Sequence, residues 1–159
     1  MSNSSTCIIR SYTQHIQAPP ERVLPLLCPV RETEWLDGWT FELIHSESGV
    51  AEEGCVFRAP SAADMETIWM ITRQDFPAGF VEMVRVTAGL VATRLRIRVE
   101  ADGDGRSIVH ITYDFSPTSE AGHRFVEEKH SEEEFREAMA WWERSMNHFL
   151  RTGTCLRKG

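Results

Sequence analysis

From Leu90 to Glu100 the chain alternates with period two: Thr93, Leu95, Ile97 and Val99 fall on one side, Arg94, Arg96, Arg98 and Glu100 on the other. Such alternation predicts a strand with one buried and one wet face. Ser107 to Ser116 repeats it, with Val109, Ile111, Tyr113 and Phe115 against Ile108, His110, Thr112 and Asp114, and Asp102-Gly103-Asp104-Gly105 between them reads as a hairpin turn. Weaker forms of the pattern predict strands at Cys7–Gln17, Thr40–Ser46, Cys55–Arg58, Glu66–Arg73 and Phe80–Thr87. Glu47-Ser48-Gly49, the loop from Ala59 to Asp64, Phe76-Pro77-Ala78-Gly79 and Ala88-Gly89 separate them. Ile68, Trp69, Met70 and Ile71 form an unbroken run, so the pattern leaves open which face of the 66–73 strand is inward.

The period changes to that of a helix between Ser131 and Arg151. Phe135, Ala138, Met139, Trp142, Met146, Phe149 and Leu150 share a stripe, with Glu133, Arg136, Glu137, Arg144, Asn147 and Arg151 opposite. Ser131 with Glu134 three residues on reads as a capping box, the Glu132–Glu134 run suits the positive end of the helix dipole, and Gly153 marks the stop. Two short helices are expected earlier: one opened by Pro19-Pro20-Glu21 and made irregular by Pro25, the other from Arg31 to Asp37 with Trp35 turned inward. The resulting order is strand, two short helices, six strands, long helix. Short connections make the later strands an antiparallel meander, and the Cys7 strand joins an edge or closes the sheet. The fold class is α+β, and residues 1–159 are expected to form a single domain.

Composition narrows the function classes. A net charge of −7 disfavours nucleic acid as a partner, since that would attract a basic face. No apolar run approaches the ~20 residues of a membrane helix, and the start MSNSSTC lacks the flank and core of a secretory signal. Cys7, Cys28, Cys55 and Cys155 are far apart with no C-x-x-C pair, a pattern of reduced thiols in a cytoplasmic protein rather than a disulfide framework or zinc site. The six histidines are scattered without a metal-binding spacing, and no G-x-S-x-G occurs. Neither a metal nor a cofactor is expected, and oligomeric state is left open.

Ile16-Gln17-Ala18-Pro19-Pro20-Glu21-Arg22-Val23 leads from the first strand into the first helix. With the Ile68-Trp69 strand, the Val109–Phe115 strand and the amphipathic last helix, it resembles the START-related SRPBCC superfamily, which includes polyketide cyclases, lipid-transfer domains, pathogenesis-related allergens and chaperone-activating domains. The resemblance implies a helix-grip fold: a curved seven-stranded antiparallel sheet wrapped around the long C-terminal helix, with a cavity between them. It also implies that the N-terminal half of that helix roofs the cavity, so that Phe135, Ala138 and Met139 face it while Met146, Phe149 and Leu150 belong to solid core. The superfamily has no universal catalytic set, so none is carried over.

Six residues are candidates for the cavity wall: Trp69, Tyr113, Phe135, Ala138, Met139 and Trp142. Trp69 is a flat wall for an aromatic ligand if its strand turns it inward. Tyr113 lies on the apolar face of the last strand, where its hydroxyl either orients a ligand or bonds a buried backbone group. Trp142 belongs to the inward stripe, while Trp141, about 100° away on the helix, flanks it. Glu32 and Glu34 are adequately explained by the helix dipole and solvent. Arg94, Arg96 and Arg98 form a basic row whose partners are expected on neighbouring strands. The leading expectation is a binding or transport protein for a small hydrophobic ligand, lipid-like or aromatic. A polyketide cyclase- or dehydratase-like enzyme is the alternative, working mainly by holding a flexible substrate. An interaction module using the arginine row is the third reading.

Overall fold

The computed structural model describes residues 6–60 and 65–159, so the MSNSSTC start and the 59–64 loop lie partly outside the described residues. Seven strands form one antiparallel sheet: β1 (Ile8–Ile16), β2 (Glu42–His45), β3 (Val56–Pro60), β4 (Glu66–Asp75), β5 (Phe80–Thr87), β6 (Val91–Ala101) and β7 (Ser107–Pro117). Their order across the sheet is β1-β7-β6-β5-β4-β3-β2. Six consecutive strands thus form a meander, and β1 returns to pair with β7, Ile8 opposite Phe115 and Ile16 opposite Ser107. Bulges interrupt the ladder between Ile71 and Arg73 and between Leu43 and His45. Each adds local twist to the sheet.

One face of the sheet is dry. Leu95, Ile97, Val99, Val109, Ile111, Tyr113 and Phe115 are buried, as the alternation predicts, and β4 turns Thr67, Trp69 and Ile71 to the same side. On the outer face the arginine row is occupied within the chain. Arg94 and Arg96 both reach Asp114, at 2.8 and 2.9 Å, and Arg98 lies over the Phe80 ring.

The long helix, α4 (Glu132–Thr152), covers the dry face. The Ser131 hydroxyl accepts from the Glu134 backbone N–H, and Gly153, at φ 75°, ends the helix in the left-handed conformation favoured by glycine. Phe135, Met139, Trp142 and Met146 are buried beneath it. The polar side of α4 also has structural work. Glu143 accepts from the His15 backbone N–H, and Asn147 both accepts from the Gln17 N–H and donates to the His15 carbonyl. These bonds satisfy the edge groups of β1 that would otherwise face an incoming strand.

The short helices pack at one end of the grip. α1 (Pro20–Val23) passes at Pro25 into a 3-10 turn, Leu24–Leu26, and α2 (Pro29–Trp35) follows. Trp35 is fully buried, donates its indole N–H to the Leu26 carbonyl at 3.0 Å and stacks on Trp142 with ring centroids 5.8 Å apart. One element has no counterpart in the hydrophobic pattern: α3 (Glu120–Lys129), capped by Ser119, with Gly122 and Val126 buried. The chain end returns beside α2, where Leu36 bridges Leu156 and Asp37 pairs with Arg157 at 2.7 Å.

Candidate functional site

The strand register brings one row of inward side chains across five strands. Phe57 faces Trp69, Trp69 faces Arg85, Arg85 faces Thr93, and Thr93 faces Phe115. An adjacent row holds Ile71, Met83, Leu95 and Tyr113. Between these rows and α4 lies a half-open cavity of about 360 Å³, bounded at one end by α2 and the residues after it. Six aromatic side chains line it, Trp39, Phe57, Trp69, Tyr113, Trp141 and Trp142, together with aliphatic Leu36, Met83, Leu95 and Ile97. Phe57 stacks on Trp69 at 5.5 Å, and Trp39 meets Trp69 edge-on at 6.3 Å. A smaller lobe of about 200 Å³ adjoins it past Trp39, Trp69 and Arg85 and ends at Thr67, Thr87, Phe125 and His130.

Five of the six residues expected at the cavity line it. Trp69 and Tyr113 form the sheet wall, Met139 and Trp142 the roof, and Ala138 stands at the exposed rim with Trp141 and Lys158. Phe135 is buried but stands behind the wall, its ring edge-on to Tyr113 at 5.2 Å. The Tyr113 hydroxyl has no hydrogen-bond partner among the described residues, so the backbone-bonding alternative is not the one adopted.

Three polar residues of the site lie outside that set. Arg85 sits on the inward face of β5, between Met83 and Thr87. Its guanidinium carbon is 5.1 Å from the centre of the Trp69 ring, 5.3 Å from Tyr113 and 5.9 Å from Phe115. Among the described residues it makes no hydrogen bond and no ion pair. Burial pulls its pKa down, with Tyr113 opposing that shift. The signal was in the sequence: period two in β5 puts Arg85 on the side of Val81 and Met83, a cation on an apolar stripe.

Glu32, on α2, faces the cavity instead of standing in solvent as its place near the start of a helix suggests. Loss of solvation raises its carboxyl to about 8, so it is mainly protonated at neutral pH. Tyr113 feels both neighbours: burial raises its pKa, Arg85 lowers it, and Glu32 raises it further. His130 lies at the end of the second lobe, stacked on Phe115 at 4.8 Å, and is held neutral, its pKa lowered to about 3 by burial and then by the Arg85 cation. Neither Glu32 nor His130 has a periodicity or motif that marks it, because their depth depends on how α2 and the α3–α4 corner pack.

A groove of about 390 Å³ at the β2–β3 edge differs in kind. It is open, and its arginine, Arg58, is already flanked by Glu42 and Glu66 at 3.4 and 3.2 Å. Among the described residues no three His, Cys, Asp or Glu side chains are grouped to hold a metal ion, and no helix is long and apolar enough to cross a membrane.

No protein-family profile and no curated sequence matches the chain. Solved structures do. Norcoclaurine synthase from Thalictrum flavum superposes with a TM-score of 0.69 at 12% identity, over 94% of this chain and 89% of that one. The Zhui aromatase/cyclase from a Streptomyces species gives 0.66 at 14%, over 95% of this chain and 100% of the other. A START superfamily protein from Mycobacterium smegmatis gives 0.67 at 8%, over 92% and 99%. Identities this low carry the fold and nothing finer. The sheet, the gripped helix and these superpositions together give the chain a helix-grip fold, the fold that those structures share.

Proposed function

We propose that the chain binds a small hydrophobic molecule, lipid-like or aromatic, in the space between the sheet and α4. The observation that carries this reading is the aromatic-walled cavity of about 360 Å³, a size and lining typical of small-molecule sites. Trp69 and Trp142 border it, so a bound ligand should alter tryptophan emission, and titration with a fatty acid or a flat aromatic should saturate. Met139→Trp should fill the roof, abolish the calorimetric signal of binding and leave urea stability nearly unchanged, because a roomy apolar space accepts added volume. Flat emission together with no heat of binding would remove the reading.

The second reading, a cyclase-like enzyme, is favoured by one specific observation: Glu32 and Tyr113 face the same cavity, and Glu32 titrates at about 8. A carboxyl with that pKa exchanges protons near neutral pH, as a general acid–base group requires. In this reading the cavity folds a flexible substrate and Glu32 moves its proton. Turnover of polyketide-like or aromatic carbonyl substrates that is lost in Glu32→Gln, with binding retained, would support it. Binding without turnover leaves the carrier reading in place.

A further inference from the structure

We propose that Arg85 forms an anion-binding subsite inside the cavity, so that the preferred ligand is an apolar monoanion, with a flat aromatic carboxylate the type that the walls fit. The inference rests on reading the cavity as a ligand site and names the chemistry of what enters it.

Arginine cannot shed its charge in a protein, so an arginine placed in an apolar wall must be compensated by its surroundings. This chain has 24 acidic residues, yet none of the described ones meets Arg85. Six other arginines do have carboxylate partners. Arg31 is paired with Glu34, Arg58 with Glu42 and Glu66, Arg73 with Asp75, Arg94 and Arg96 with Asp114, and Arg157 with Asp37. Arg85 has only the three rings around it. Rings stabilise a cation electrostatically but leave its N–H donors without oxygen acceptors.

The remaining charged groups on the cavity do not neutralise it. Asp37 is committed to Arg157 and to the Lys158 backbone N–H. Glu32 is mainly protonated at neutral pH, and His130 in the adjoining lobe is neutral. Lys158, its ammonium 5.1 Å from the centre of the Trp141 ring, adds a second positive charge at the rim. A ligand carboxylate would give Arg85 the two parallel acceptors that its planar fork suits, while an aromatic body lies against Trp69 and Tyr113.

The test compares naphthoate with its neutral counterpart naphthamide by calorimetry on the unmodified protein, Arg85→Gln and Arg85→Lys. The unmodified protein should bind naphthoate at least tenfold more tightly than naphthamide. Arg85→Gln should erase that preference while still binding naphthamide, and Arg85→Lys should retain part of it. If the unmodified protein binds both probes equally, the anion subsite is overturned while the hydrophobic site stands. If it binds neither, both readings fall. A preference that survives in Arg85→Gln also overturns the proposal and transfers the anion to Lys158. The paired probes on the unmodified protein decide the matter even if Arg85→Gln does not fold.

Discussion

An unpaired cation facing an apolar wall is a local cost that the rest of the fold must carry. Arg85 has ring faces but no counter-ion, so an apolar side chain of similar length should be better tolerated in the empty protein. Arg85→Met is therefore expected to raise stability, on the order of 1 kcal/mol, as changes at functional sites often do. Urea unfolding reads this directly, and a loss of stability would mean that the three ring contacts are structural. Ile111 is the opposite kind of residue, 1% exposed in the dry face of β7. Ile111→Ala removes buried methylene groups and leaves a void, at a cost of roughly 2–5 kcal/mol. A midpoint shift equivalent to less than about 0.5 kcal/mol, the scale of surface changes, would place Ile111 outside the core.

At the scale of elements, α3 depends on a close approach. A Cβ built on Gly122 would lie 1.8 Å from the Leu90 carbonyl oxygen, a backbone atom that cannot swing aside. In an isolated helix Gly→Ala favours helix by about 1 kcal/mol. Here Gly122→Ala should instead destabilise, by roughly 1–3 kcal/mol as overpacking does, because α3 must lift from the β5–β6 turn. A neutral or stabilising result in urea unfolding would show that α3 is not docked there. The same helix shows where the hydrophobic pattern stops being informative. Strands β5, β6 and β7, together with α4, follow from periodicity because each buries a regular stripe over eight or more residues. α3 buries little beyond Gly122 and Val126, so its ten residues carry no such stripe. The strand over 40–46 shortens to β2, Glu42–His45, with Ile44 exposed, because an edge strand has one neighbour and little to cover. The cavity lining was legible residue by residue in Trp69, Tyr113, Met139 and Trp142. Glu32 and His130 were not, since solvation depends on packing between elements far apart in the chain. Arg85 was legible in principle from its place on an inward stripe.

For the whole molecule, one cluster of buried residues runs from Ile16 through Trp35, the sheet and α4 to Met146. We propose that the chain unfolds as one domain, with tryptophan emission and far-ultraviolet dichroism changing at the same urea concentration. Between pH 4.5 and 8 two groups should act on its stability with opposite signs. Folding lowers His130 from 6.5 to about 3, so between those values the unfolded chain binds a proton that the folded chain does not, and stability rises with pH. Folding raises Glu32 from 4.5 to about 8, so over that range the folded chain keeps a proton that the unfolded chain has released, and stability falls with pH. The two effects oppose each other between 4.5 and 6.5, where stability should be nearly level. Above 6.5 the His130 contribution is complete and that of Glu32 continues, so the fall toward pH 8 should approach at most about 1.4 kcal/mol per pH unit. Below 4.5 the lowered carboxyls of Asp37, hydrogen-bonded by Lys158 and Arg157, and Glu52, hydrogen-bonded by Ser48 and Ser46, add to the rise. Glu32→Gln should abolish the decline above 6.5 and leave the rise, whereas His130→Gln should expose a decline that begins near 4.5. Urea midpoints of the three proteins across this range separate the contributions. A level profile from 6.5 to 8 in the unmodified protein would mean that Glu32 is ionised in the folded state, and the same result would withdraw it as a proton-transfer group.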